Sequence, residues 1–171
     1  MKDWIGNKNS IYKTLGASNH TEKERQVQDF YATEPKAAEL LLELETFNKD
    51  IWECASGEND LADVFKKKGF NVRTTDIVKR TNTTDVLNFL STTEKWNGDI
   101  ITNPPYSMAK EFVEHALSLI NKGGKVAMFL KLQFLEGKKR KEMFANNPPK
   151  VVYVSSSRLL CAKNGKFEQM R

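Results

Sequence analysis

Two consecutive prolines directly behind an apolar strand constrain this chain more than any other feature. The stretch is Asp99-Ile100-Ile101-Thr102-Asn103-Pro104-Pro105-Tyr106. Neither proline has an N–H to donate and each fixes its own φ, so no sheet ladder continues past Thr102. The strand tip is therefore rigid. It presents one side-chain amide (Asn103), carbonyls without competing N–H groups, and one aromatic ring (Tyr106). Such a cluster can accept hydrogen bonds from a planar amino group and stack on the plane that carries it. A Pro-rich turn without chemistry has the same letters, so the flanking chain has to separate the two.

Residues 1–26 are polar and charged without a clear period and read as a flexible N-terminal arm, while residues 27–171 read as one domain. An aromatic-rich loop from Asp29 leads into a helix opened by Pro35 and marked by the spacing of Ala37, Leu40, Leu41, Leu44 and Phe47. Ile51–Ala55 reads as a buried strand and Ser56–Asp60 as a turn. Leu61, Val64 and Phe65 form a helical stripe that Gly69 stops. Phe70–Thr75 is a second strand, ending at Asp76. Strand, Gly-containing turn, helix, strand and an acid about twenty residues on is the outline of a nucleotide-binding βαβ unit. Asn59 holds one glycine position in that turn, and asparagine tolerates a left-handed backbone better than most residues.

After a Thr-rich stretch with a short strand or turn near Asp85 comes the strand that delivers Asn103. Ser107 is placed to cap the next helix, whose apolar face is Ala109, Phe112, Val113, Ala116, Leu117 and Ile120. Lys125–Leu130 and Val151–Val154 read as two further strands. Between them lie an apolar loop, a basic stretch from Lys138 to Lys141 and a short helix to Asn146. Ser155 to Arg171 shows no clear element.

Strands alternating with helices predict an α/β fold, a mostly parallel sheet with helices on both faces. Right-handed crossovers bring the loops after Glu53, Asp76 and Thr102 to one edge, where such sheets bind ligands. With Cys54 and Cys161 as the only cysteines and His20 and His115 as the only histidines, neither a zinc cluster nor a disulfide framework is expected. No apolar run reaches membrane-spanning length and the N-terminus is no signal peptide, so a cytoplasmic location is expected. The net charge of +5 permits a polyanionic partner without requiring one.

Together, Asn103-Pro104-Pro105-Tyr106, Glu53-Cys54-Ala55-Ser56-Gly57 and the segment Asp29-Phe30-Tyr31 through Pro35 resemble the catalytic, cofactor and cofactor-carboxylate motifs of S-adenosylmethionine-dependent N6-adenine DNA methyltransferases. The likeness is to the small phage and prophage type, spans residues 27–165 and includes the segment Phe134 to Arg140. It implies a Rossmann-like methyltransferase fold, S-adenosyl-L-methionine as cofactor, and DNA as partner with its target adenine flipped out or single-stranded. It implies that Tyr31, Thr33 and Pro35 line the methionine end of the cofactor and that Glu53, Ala55 and Gly57 frame its centre. Asp76, beside Ile77, would take the ribose hydroxyls, and Asp85 the adenine amino group, with Val86 or Leu87 against the ring. Asn103 and Pro104 would accept the hydrogens of the target amine at a tip stiffened by Pro105, and Tyr106 would stack on the base. Phe134 would form the opposite wall, and Lys138, Lys139 and Arg140 would meet phosphates.

Family members usually add a last antiparallel strand beside the sixth, and this sequence is expected to lack it. Two other functions fit the same residues: methylation of a protein glutamine or an RNA base, and an inactive cofactor- or DNA-binding relative. Asn59 and the missing strand motivate the last.

Overall fold

A computed structural model of the chain describes residues 32–157, 159, 161 and 162. The expected N-terminal arm and Tyr31 lie outside the described residues. The elements are β1 (Ala32–Thr33), α1 (Pro35–Leu44), β2 (Asp50–Glu53), α2 (Asp60–Lys67), β3 (Asn71–Asp76), β4 (Asp85–Val86), β5 (Asp99–Thr102), α3 (Ala109–Leu119), β6 (Val126–Met128), α4 (Lys141–Asn146) and β7 (Cys161–Ala162). Single 3-10 turns stand at Phe89–Ser91, Tyr106–Met108, Leu132–Leu135 and Lys138–Arg140. Five strands form one sheet in the order β4-β3-β2-β5-β6, every pair parallel. A separate antiparallel pair sets Thr33 of β1 opposite Cys161 of β7. This α/β arrangement is compatible with a Rossmann-like fold.

Side chains alternate across the two faces of the sheet. Trp52 and Ile100 pack with Phe89 and with Phe112, Ala116 and Leu119 of α3. Their neighbours Ile51 and Ile101 face the other way, against Ala38 of α1 and Leu61, Val64 and Phe65 of α2. The central strands are thus covered on both faces, which is why β2 and β5 carry adjacent apolar residues rather than an alternating pattern. The one polar edge of the buried Trp52 ring is satisfied, its indole N–H donating to Thr75 Oγ1 at 2.9 Å.

The base of β5 is pinned by a buried anion. The Asp99 carboxylate accepts from the Asn48 side chain (2.8 Å), the Asn48 backbone N–H (2.5 Å) and the Lys125 backbone N–H (2.7 Å). One charged acceptor therefore joins the chain after α1 and the start of β6 to the strand that carries Asn103. Pro35 sits in the first turn of α1. Gly69, at φ 87°, ends α2, and the Phe70 N–H returns to the Phe65 carbonyl at 3.0 Å.

Four expectations from the sequence differ from the structure. Ser107 lies inside the 3-10 turn rather than at the cap position of α3, which Met108 holds without a side-chain bond. Pro105 causes this, since its carbonyl accepts the Met108 N–H at 3.0 Å and starts the turn. Second, β6 keeps only Val126–Met128 of the expected Lys125–Leu130. Third, Val151–Val154 forms no strand. Its side chains are 46–65% exposed, and the Tyr153 hydroxyl donates to Glu45 Oε1 at 2.8 Å. Fourth, the tail is not featureless, since it holds β7. Among the described residues the main sheet contains no antiparallel strand.

Candidate functional site

From β2, the strands β3 and β4 step one way and β5 and β6 the other. A reversal of this kind leaves a crevice between the two diverging strand tips. A cavity of about 180 Å³ occupies that place. Its walls come from the turn after β2 (Glu53, Cys54, Ala55, Ser56, Asp60), the loop after β3 (Asp76, Ile77, Arg80) and the tip of β5 (Asn103 to Tyr106). Leu87 to Leu90 close one end, and Ala32 and Thr33 of β1 also reach it.

The turn after β2 works through its backbone. Gly57 (φ 54°) and Asn59 (φ 72°) are both left-handed, so the asparagine preserves the conformation expected of a glycine. That path aims the Gly57 N–H at Asp76 Oδ2 (2.9 Å), while the Val78 N–H donates to Oδ1 (3.0 Å). The Asp76 carboxylate is held by one bond to each oxygen. Because a carboxylate accepts about four hydrogen bonds, it retains capacity for two ligand hydroxyls.

Glu53 is the most buried acid in the wall, 2% exposed. Burial pushes its carboxyl well above the ordinary range. A bond from the Ala62 N–H opposes the shift, and Asp60 and Asp76 add to it. Its Oε2 has no hydrogen-bond partner among the described residues. Asp60 is raised as well, first by burial and then by Glu58 and Asp63. Three carboxyls around one cavity, one with an unanswered buried oxygen, suit a ligand rich in hydrogen-bonding groups. Cys54 also lines the cavity, but burial raises its thiol well above the ordinary value, so it supplies no thiolate nucleophile.

Across the cavity, Asn103 Nδ2 donates to Thr33 Oγ1 at 2.8 Å. This bond fixes the rotation of the amide and therefore the direction of Oδ1. Pro104 is buried and Tyr106 half-buried, with Lys131 Nζ 4.7 Å from the Tyr106 ring centre.

Of the residues expected from the sequence, Thr33, Glu53, Ala55, Asp76, Ile77, Asn103, Pro104, Pro105 and Tyr106 line this one cavity. Gly57 acts on it through Asp76. Pro35 is exposed at the start of α1 and does not line it. Asp85 and Val86 stand exposed on the edge strand β4, and their neighbours Leu87 and Asn88 line the wall instead.

Phe134, Lys138, Lys139 and Arg140 lie outside the cavity. Phe134 packs edge-on against Phe144 with ring centres 5.8 Å apart. Arg140 covers Phe134 at 4.9 Å and donates to the carbonyls of Phe134 (2.6 Å), Gln133 (3.0 Å) and Glu136. Its guanidinium therefore closes its own loop, while Lys138 and Lys139 are exposed.

Arg80, Asn88, Met108 and Lys131 are site residues that sequence reasoning missed. For Lys131 a signal existed, since it follows β6 at the same strand edge as Asn103. Among the described residues no His, Cys, Asp or Glu group is arranged to hold a metal ion, and no helix is long and apolar enough to cross a membrane.

Fold and cavity together define an α/β protein with a ligand crevice at the C-terminal edge of a parallel sheet. No protein-family model matches the chain, and no curated protein matches it significantly.

Proposed function

We propose that the protein is an S-adenosylmethionine-dependent methyltransferase that methylates adenine N6 in DNA. The observation that carries this reading is that Asn103-Pro104-Pro105-Tyr106 lines the same cavity as Glu53 and Asp76. The choice of adenine in DNA rests on the motif resemblance. The cavity fits the cofactor on one physical ground: Asp76 keeps acceptor capacity for ribose hydroxyls, and the buried Glu53 carboxyl beside it has an oxygen without a partner that a hydrogen-bonding ligand would answer. The left-handed turn kept at Asn59 favours a working site over an inactive relative.

When bound, S-adenosylmethionine supplies an electrophilic methyl group on a positively charged sulfur. Asp76 accepts the ribose hydroxyls, and Ile77, apolar and 63% exposed, offers a hydrophobic surface to the nucleoside. An aromatic amine is a poor nucleophile because its lone pair is delocalised into the ring. Asn103 Oδ1 and the Pro104 carbonyl accept its two hydrogens, so the nitrogen can turn tetrahedral with its lone pair directed at the methyl carbon. These fixed dipoles stabilise the charge that develops on nitrogen, and the held geometry supplies orientation. The cofactor held there would supply the methyl group and leave as the neutral thioether, and the surplus proton would pass from the nitrogen to water. Tyr106 stacks on the base, which must be flipped out or unpaired to reach it.

Incubation with methyl-labelled S-adenosylmethionine and, separately, unmethylated DNA, RNA and protein tests the reading after digestion and identification of the product. N6-methyladenine in DNA is the expected result. Label confined to RNA, to a glutamine, or to no acceptor contradicts it.

A further inference from the structure

We propose that Asn59 is a positioning residue for the nucleoside end of the cofactor, its amide tying the Thr81–Thr84 segment to the turn after β2 and so fixing where Ile77 and Arg80 stand in the cavity wall. The inference rests on the methyltransferase reading and deepens it.

Asn59 is 3% exposed and sits at φ 72°, a conformation for which glycine is the unstrained residue. It also holds the cap position of α2, where an asparagine ordinarily accepts a first-turn N–H. It makes no such bond. The Asn59 amide is turned to three threonines. Nδ2 donates to Thr81 Oγ1 (2.8 Å) and Thr83 Oγ1 (3.0 Å), and Oδ1 accepts from Thr84 Oγ1 (3.1 Å).

The threonines are tied further. Thr84 Oγ1 lies 2.8 Å from Thr81 Oγ1 and 3.3 Å from Ser56 Oγ, and Thr74 Oγ1 donates to the Thr83 carbonyl at 2.8 Å. Ser56 and Asp60, on either side of Asn59, line the cavity, as do Ile77 and Arg80 just before Thr81. The amide and hydroxyl cluster therefore joins two walls of one site. Backbone and side chain make opposite demands at position 59: glycine relieves the left-handed turn, and only the amide holds the threonines.

The test compares full-length wild-type protein with Asn59→Gly, with Thr81→Val/Thr83→Val, and with the three substitutions combined. The measurements are the Kd for S-adenosylmethionine, the KM for cofactor against kcat on DNA, and amide exchange over residues 77–84. Asn59→Gly should raise the Kd and the cofactor KM about tenfold, the scale of one or two lost buried hydrogen bonds, with kcat changing far less. Thr81→Val/Thr83→Val should give a similar rise, and the combined variant clearly less than the sum of the two, because they share the Asn59 Nδ2 contacts. Exchange over residues 77–84 should be faster in the uncomplexed Asn59→Gly protein. An unchanged Kd, additive effects, unchanged exchange, or an equal fall in kcat would overturn the inference. Wild-type protein that binds no S-adenosylmethionine would refute the methyltransferase reading itself and this inference with it. If Asn59→Gly does not fold, the threonine variant carries the same decision.

Discussion

Glu53 sets the electrostatics of the cavity from a position that water does not reach. Its carboxyl is raised chiefly by burial, so the folded protein keeps a proton that the unfolded chain gives up above the ordinary carboxyl value of 4.5. Through that window the folded state binds more protons than the unfolded state, and stability falls as pH rises. Glu53→Gln removes the titration. The melting temperature of the variant should therefore gain on that of the wild type as pH rises above 4.5. A difference that stays constant across that range would contradict a buried, proton-holding Glu53. At this scale Glu53, Asp76 and Asn103 were legible because each stands at the C-terminal end of an expected strand, where topology puts ligands. Arg80 was not legible, because its arrival in the cavity depends on how the Thr-rich loop folds back onto Asn59. Nor was the choice of Leu87 over Val86, or of Asn88 in place of Asp85, in the wall. Which side of a two-residue edge strand faces inward is decided by its partner β3.

Elements show where local letters stop being informative. A β-branched run such as Val151–Val154 says that a segment suits a pleated surface, not that a neighbour is present. Here the segment is exposed, anchored by Tyr153 on Glu45. Val152→Thr and Val154→Thr should each change stability by no more than about 0.5 kcal/mol, as at other exposed sites. A loss of several kcal/mol in denaturant unfolding would mean that the segment is a packed strand. β7 was illegible for the opposite reason: two residues have no period, and the pairing with β1 joins distant parts of the chain. The glycines around β6 are informative in return. A Cβ on Gly124 would stand 2.3 Å from the Gly98 carbonyl oxygen and 2.6 Å from Ile120 Cγ1. Backbone cannot step aside cheaply, so Gly124→Ala should cost about 1–3 kcal/mol in the same unfolding measurement. A neutral result would mean that β6 enters the sheet by a different path.

For the molecule as a whole, the order β4-β3-β2-β5-β6 explains why three segments far apart in sequence meet. Parallel strands with helical crossovers place every strand tip on one edge, and the reversal at β2 opens a crevice between β2 and β5. That convergence followed from the alternation of strand and helix alone. The contact by which Thr33 orients the Asn103 amide did not, because it depends on β1, a two-residue strand held by β7. On the proposed methyltransferase reading, the cavity has two halves with separate tasks: carboxyls and turn backbone on one side for the cofactor, and a proline-stiffened amide and ring on the other for the amine. Single-turnover methyl transfer to unmethylated DNA by Asn103→Ala, with its affinity for S-adenosylmethionine measured on the same sample, tests that division most directly. Transfer should fall by about a thousandfold, the scale of a lost transition-state hydrogen-bonding group, while the Kd for the cofactor stays within about threefold. Transfer that survives in Asn103→Ala, or that is lost only together with cofactor binding, would contradict it.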